Sequence, residues 1–270
     1  MSANVESDEL GAALEPLLSA PERAAVLCDL DGTLAPIVQR PEDAAVPEPA
    51  REALRAIAGR YALTAVISGR RATDAKRIVG LDEIAYSGNH GFEMLLPGDD
   101  VPKPYPSLDG HEEDAPRFVA GHDAEELERA GIRVEDKGAI VALHWRGAEN
   151  EGESESLASE IANEAEWQDL VVHRGRKVME IRPNVAINKG IAVAALIPAA
   201  PVSAALYGGD DRTDVDAFVA LRTLTEDGEL ESAICVAVSS DEASPAVTAA
   251  ADLVVHGTGG FLEVLRRLAG

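Results

Sequence analysis

Apolar residues in this chain fall into two patterns: short unbroken runs, and longer segments where they recur every three or four positions. The run at 24–28, AAVLC, has no alternation, which predicts a central strand covered on both faces. Similar runs predict strands at 62–67, 202–207 and 233–238, with shorter ones at 83–86 and 252–255. Between them, Leu54, Ile57, Ala58 and Tyr61 share one helical face, with Pro47 and Pro49 near the helix start. Further helices are expected at about 72–79, 188–197, 214–224 and 258–268, the last carrying Phe261, Val264, Leu265 and Leu268. Residues 1–23 read as an amphipathic lead-in with Leu10, Leu17 and Leu18 apolar. Strands alternating with helices imply parallel βαβ units.

The pattern breaks in the middle. Residues 97–116 hold five prolines and many acids and read as a linker. From 117 to 182 the order is helix, strand, strand, helix, strand, strand, with strands at 132–135, 139–146, 169–173 and 177–182. In the second of these, Val141, Leu143 and Trp145 alternate with Ala142, His144 and Arg146, as in an antiparallel sheet with one packed face. Residues 149–160 read as a solvated loop entering a helix. The expected fold is therefore α/β: a Rossmann-like parallel-sheet core (1–104 and 185–270) with an inserted α+β cap domain (105–184).

Composition narrows the function classes. The net charge of −24 disfavours nucleic acid and anionic membranes as partners. No apolar run approaches a membrane span, and the first residues lack a secretory pattern, so a cytoplasmic location is the expectation. Cys28 and Cys235 sit in apolar runs and read as buried thiols. Only five of the 24 basic residues are lysines, and a surface so acidic and lysine-poor suggests adaptation to high salt. The melting temperature is then expected to rise with KCl into the molar range, where the Debye length falls to about 3 Å. A flat or falling melting temperature would remove that reading.

The chemistry gathers at strand ends. Asp29, Asp31, Gly32 and Thr33 follow the first strand, where open α/β sheets place ligands. Ser68-Gly69-Arg70 follows the second, and Ser87-Gly88-Asn89-His90-Gly91 the third. Lys189 opens a helix, and Gly209-Asp210-Asp211-Arg212-Thr213-Asp214 ends a later strand. The acids offer an oxygen cage for Mg²⁺. Thr33, Ser68 and Lys189 offer donors for a phosphoryl group. Lys189 opposes the helix dipole, which argues against a purely structural role. Asp214, His144, His90 and Arg70 each have a plain structural reading as well: helix cap, sheet residue, tight-turn residue and neutraliser of surface acids.

DLDGT, Ser68, NKG (188–190) and GDDRTD (209–214), in that order, resemble the four motifs of the haloacid dehalogenase-like phosphatases. With SGR (68–70), GNHG (88–91), VEDKG (134–138), ALHWR (142–146) and KVMEIRP (177–183), the chain is more closely similar to trehalose-6-phosphate phosphatases. One departure is Val215, where that family usually has Glu. The resemblance implies an Mg²⁺-dependent phosphatase acting on a small-molecule sugar phosphate. It makes Asp29 the nucleophile, which becomes an aspartyl-phosphate, and Asp31 the acid and then the base. It gives Thr33, Ser68, Gly69 and Lys189 to the phosphate, with Lys189 also catalytic. The metal centre takes Asp29, Asp31 (through its carbonyl), Asp210, Asp211 and Asp214, the last two orienting the others.

For the sugar, His144, Arg146 and Glu180 are the candidates on the polar face of the inserted sheet, Asn89, Glu135 and Lys137 are further candidates, and the resemblance also points to Lys177. Strand parity sets Lys177 opposite Glu180 unless it lies in the preceding turn. Rival readings are phosphatases acting on sucrose phosphate, a glucosylglycerol phosphate or a mannosyl-phosphoglycerate. A receiver-like phospho-acceptor module is disfavoured by Asp31 and by the insertion.

Overall fold

The structure, a computed structural model, describes residues 7–38, 40–240 and 244–270. In chain order the first elements are α1 (Ser7–Leu18), β1 (Ala24–Cys28), α2 (Glu48–Ala58), β2 (Leu63–Ile67), α3 (Ala72–Val79), β3 (Ala85–Gly88), β4 (Glu93–Leu95) and β5 (Lys103–Pro104). Next come α4 (Asp114–Ala120), α5 (Ala124–Arg129), β6 (Arg133–Asp136), β7 (Val141–His144), α6 (Glu151–Trp167), β8 (Leu170–Gly175) and β9 (Val178–Pro183). The chain closes with α7 (Lys189–Leu196), β10 (Ala204–Gly209), α8 (Asp214–Glu226), β11 (Ser232–Ser239), α9 (Pro245–Ala250), β12 (Leu253–His256) and α10 (Gly257–Ala269). Two compact units result: residues up to Lys103 together with Ile187–Gly270, and Pro104–Ala186.

The first unit is built on the sheet β12-β11-β10-β1-β2-β3-β4-β5, parallel from β12 through β3. All five residues of β1 are buried, as its unbroken apolar run requires. Ala24, Val26 and Cys28 point into one layer, with Leu14 and Leu17 of α1, Leu54 and Ile57 of α2, and Phe261, Val264 and Leu265 of α10. Ala25 and Leu27 point into the other, with Val193 and Leu196 of α7 and Phe218 and Leu221 of α8. Val215, the departure noted above, packs against this second layer. Cys28 and Cys235 are buried free thiols in opposite layers.

Strand order reverses at β1, whose neighbours are β2 and β10. This is the switch point at which such sheets hold ligands, and Asp29, Ser68 and Asp210 stand at or just beyond the carboxyl ends of these three strands.

The chain after β3 departs from the expected parallel pattern. A tight turn at Asn89–Gly91 sends it back as β4, antiparallel to β3. The stretch 97–116 is also less of a linker than its prolines suggest: it contains β5 and, from Asp114, the first turn of α4.

The second unit is an antiparallel sheet, β6-β7-β9-β8. One face packs Val141, Leu143, Met179 and Ile181 against Phe118 of α4 and Ile161 and Ala165 of α6. Residues 149–160 are mostly helix, because Asn150 caps α6 by accepting from the backbone N–H of Glu153. Among the described residues no helix is long and apolar enough to cross a membrane.

Candidate active site

The site begins where β1 stops. Asp29 keeps the sheet bond, its N–H donating to the carbonyl of Gly208 at 2.8 Å, while its side chain leaves the sheet at 5 % exposure. The chain then turns tightly: Leu34 and Ala35 N–H both bond the carbonyl of Leu30, and Gly32 takes φ +84°. A side chain at Gly32 would also collide with Asp210, since a Cβ there would lie 2.2 Å from its Oδ2. Glycine is therefore needed twice over, for its backbone angle and for the approach of two strand ends. Thr33 Oγ1 donates to Asp210 Oδ1 at 3.2 Å, so this hydroxyl helps to seat Asp210.

Lys189 is the first residue of α7, behind the Asn188 cap, and is 1 % exposed. Its Nζ lies 2.7 Å from Asp214 Oδ1 and 3.0 Å from Asp29 Oδ1. Burial opposes its charge, but Asp214 and Asp29 outweigh burial and raise its pKa above the ordinary lysine range. Lys189 is a permanent ammonium beside Asp29.

Asp29, Asp210 and Asp214 have carboxylate oxygens within 4.8 Å of one another. Asp214 differs from the other two. Its Oδ1 accepts from Lys189 and from Tyr207 Oη at 2.8 Å, and its Oδ2 accepts from the N–H of Asp210 and of Asp211, each at 3.0 Å. Its acceptor capacity is spent, which makes it the post that fixes Lys189 and the 210–211 turn. Asp29 and Asp210 are the acids with capacity to spare. Asp211 accepts from the Thr213 N–H and hydroxyl, both on Oδ1; Lys189 and these bonds outweigh its burial and hold its pKa below the usual carboxylate range.

Burial pushes Asp29 well up, only partly relieved by Lys189. Asp210 is pushed up to about 7 by burial, then by Asp214 and Asp211. Four acids thus crowd one ammonium, in a setting where like charges repel strongly. An all-oxygen donor set with surplus negative charge fits a hard divalent cation. Asp29 and Asp210 are the side chains fitted to hold it.

The second and third strand ends interlock. Ser68 Oγ accepts from the N–H of Arg70 at 3.1 Å, which leaves its own proton for another acceptor. The N–H groups of Asn89 and His90 donate to the carbonyls of Arg70 and Ser68 at 2.8 and 2.9 Å. Asn89 and His90 hold positive φ, +51° and +60°, a strained pair of non-glycine residues at a site edge. The His90 ring covers Gly69, where a Cβ would lie 2.6 Å from it. Asn89 is thus a buried member of the first unit, bracing the Ser68–Arg70 turn. Asp31 does not join the acid cluster. Arg70 grips it by both oxygens, Nε to Oδ2 at 2.6 Å and Nη2 to Oδ1 at 2.8 Å.

In the second unit, Glu135, Ala142, Glu180 and His173 stand in one cross-strand row. Lys137 Nζ meets Glu180 Oε1 at 2.6 Å, and His144 Nε2 meets Glu135 Oε2 at 2.7 Å. Burial holds His144 below the ordinary histidine range, against the pull of Glu135. Two candidates stand apart. Arg146 is exposed in the turn beyond β7 and reaches the carbonyl of Arg176. Lys177 lies in the turn before β9 at φ +62° and pairs with Glu151.

Two contacts had no decisive sequence signal. Arg70 reads as a surface charge, because its partner is 39 residues away. Tyr207 is the one polar side chain in the fully buried β10, and a buried phenol needs a partner, so Asp214 was foreseeable in kind.

The trehalose-phosphatase family profile matches residues 27–254. Trehalose 6-phosphate phosphatase RA3 of Zea mays is 33% identical over 234 residues, covering 79% of this chain and 64% of that protein. Trehalose-phosphate phosphatase of Mycobacterium tuberculosis (strain H37Rv) is 36% identical over 209 residues, covering 72% of this chain and 50% of its own. The chain thus spans about half to two-thirds of these two relatives, and 15% of a longer mycobacterial protein described as an uncharacterized glycosyl hydrolase, to which it is 38% identical over 210 residues. Among solved structures, the C-terminal domain of the C. albicans trehalose-6-phosphate phosphatase superposes with a TM-score of 0.74 at 22% identity, over 96% of this chain and 97% of that one. A haloacid dehalogenase-like hydrolase from Bacteroides thetaiotaomicron superposes at 0.64, with 15% identity over 90% and 98%. The chain belongs to the trehalose-phosphatase family, on the fold of the haloacid dehalogenase-like hydrolases.

Proposed function

We propose that this protein is a phosphoric monoester hydrolase that cleaves trehalose 6-phosphate to trehalose and phosphate through an aspartyl-phosphate on Asp29. The observation that carries the reading is the position of Asp29: a buried carboxylate at a sheet switch point, held by the Lys189 ammonium and clustered with Asp210.

An oxygen of Asp29 attacks phosphorus while the bond to the sugar oxygen breaks. Asp31 gives that oxygen its proton, then takes one from the water that attacks the phosphorus of the aspartyl-phosphate. The bond to Asp29 breaks, which restores the Asp29 carboxylate and leaves Asp31 as the protonated acid it was at the start. Lys189 and the Ser68 hydroxyl face the charge on the transferring oxygens, and Asp214 keeps Lys189 in place. Mg²⁺ bound by Asp29, Asp210 and the Asp31 carbonyl would neutralise phosphoryl charge.

The groups at this centre are indifferent to the alcohol, so choice among sugars falls to Glu180, Lys137, Glu135 and His144 in the second unit. Carboxylates and donors paired in this way offer bidentate partners to sugar hydroxyls. The test is phosphate release with and without Mg²⁺ from trehalose 6-phosphate, sucrose phosphate, glucosylglycerol phosphate and p-nitrophenyl phosphate. Trehalose 6-phosphate is expected to give the highest kcat/KM. Glu180→Ala is expected to lower kcat/KM for it by roughly 30- to 1,000-fold, the worth of about 2–4 kcal/mol of charge-assisted hydrogen bonding, and to spare p-nitrophenyl phosphate. Equal losses on both substrates would assign Glu180 to the fold. No loss on either would place sugar recognition elsewhere.

A further inference from the structure

The arrangement of Asp31 conflicts with the work assigned to it above. A carboxyl group that passes a proton to a leaving oxygen needs one of its own oxygens free to carry it. Both Asp31 oxygens accept instead from the guanidinium of Arg70, at 2.6 and 2.8 Å, in the forked geometry that makes such pairs strong. Asp31 is also outside the convergent set of Asp29, Asp210 and Asp214. The backbone of Arg70 is anchored on both sides: its N–H donates to Ser68 Oγ and its carbonyl accepts from the N–H of Asn89. The guanidinium therefore swings from a fixed point beside a hydroxyl placed to face phosphate. The side chains of Arg70 and Asp31 are 20% and 34% exposed, so an incoming anion can reach the pair.

We propose that Arg70 is an anion-operated latch on Asp31. In the resting protein it holds the carboxylate by both oxygens. The phosphate group of an arriving substrate takes over the guanidinium, and Asp31, no longer held as a carboxylate by both oxygens, takes up one proton from solvent and turns toward the leaving oxygen. The exchange is balanced in hydrogen bonds, because a phosphate presents the same paired oxygens to an arginine fork as a carboxylate does, with more charge. Apart from that one proton, no covalent bond is made or broken in the step. It ties release of the acid to the presence of a phosphoryl group, and Arg70 is a positioning residue in this scheme. The inference rests on the assignment of Asp31 as acid and base.

The test is a binding cycle with inorganic phosphate, read by calorimetry on the full chain at one fixed Mg²⁺ concentration. It compares wild type, Asp31→Asn, Arg70→Ala and the double variant. Asp31→Asn is expected to bind phosphate roughly tenfold more tightly than wild type, because Arg70 no longer has to be taken from a partner, and Arg70→Ala roughly tenfold more weakly. In the Arg70→Ala background, Asp31→Asn is expected to add almost nothing.

Simple charge repulsion gives the opposite result in the cycle. With no guanidinium to screen Asp31, removing its charge would help phosphate as much or more in the Arg70→Ala background. That outcome overturns the latch, as does Arg70→Ala binding phosphate as wild type does. Arg70→Lys, which keeps the charge and loses the fork, is expected to fall between wild type and Arg70→Ala; it stands in for Arg70→Ala if that variant does not fold. The cycle involves no turnover. Failure of the acid-base assignment shows separately, as an Asp31→Asn protein that hydrolyses a sugar phosphate at the wild-type rate.

Discussion

Asp29→Asn is expected to lose turnover by about 10⁴-fold or more while its melting temperature stays close to that of wild type. The amide nearly matches the carboxylate in shape and cannot act as a nucleophile at phosphorus. The fold has little to lose, because Asp29 meets the sheet through its backbone N–H, which the substitution leaves in place. Its side-chain ion pair with Lys189 is one of two that the ammonium makes. A variant with activity near wild type would remove Asp29 from the reaction and with it the aspartyl-phosphate.

The second large effect is on stability. Asp214→Ala is expected to destabilise the first unit by about 3–5 kcal/mol, because it strands a buried charge. Asp214 is 0% exposed and accepts from Lys189, Tyr207 and two backbone N–H groups. Its removal leaves those donors unmet and Lys189 with only Asp29. Adding Lys189→Met to Asp214→Ala is expected to restore part of the loss, since the stranded ammonium goes as well. Denaturant melts of the single and double variants check this. A single variant within about 1 kcal/mol of wild type would show that the network does not hold the site together.

What the sequence made legible follows from the range of the forces involved. β1 and β10 were readable because strands buried on both faces must be apolar throughout, and that leaves a local mark. The strand-end acids were readable for the same reason: Asp29, Asp31 and Asp210 follow immediately on such runs. The β6–β9 sheet shows itself by alternation, with Val141 and Leu143 in the packed core and Ala142 and His144 on the other face.

What the sequence conceals involves partners distant along the chain or elements too short to show a period. β4 has three residues and β5 two, and the prolines around β5 concealed the start of α4. The Arg70–Asp31 pair joins two strand ends through tertiary approach alone. For Lys177 the sequence leaves strand and turn open, and the structure puts it in the turn before β9 at φ +62°. Arg146 missed the polar face because β7 ends at His144. The bond from the Thr33 hydroxyl to Asp210 likewise leaves no mark in DLDGT, because the two residues meet only through the close approach at Gly32.

The central claim is that trehalose 6-phosphate passes its phosphoryl group to Asp29. Rapid acid quench of the enzyme during turnover of ³²P-labelled trehalose 6-phosphate, followed by peptide mapping, tests it most directly. The account predicts protein-bound label that hydroxylamine removes, located on the peptide containing Asp29 and absent from Asp29→Asn. Phosphate release at full rate with no label on the protein, or with label on another residue, would contradict it.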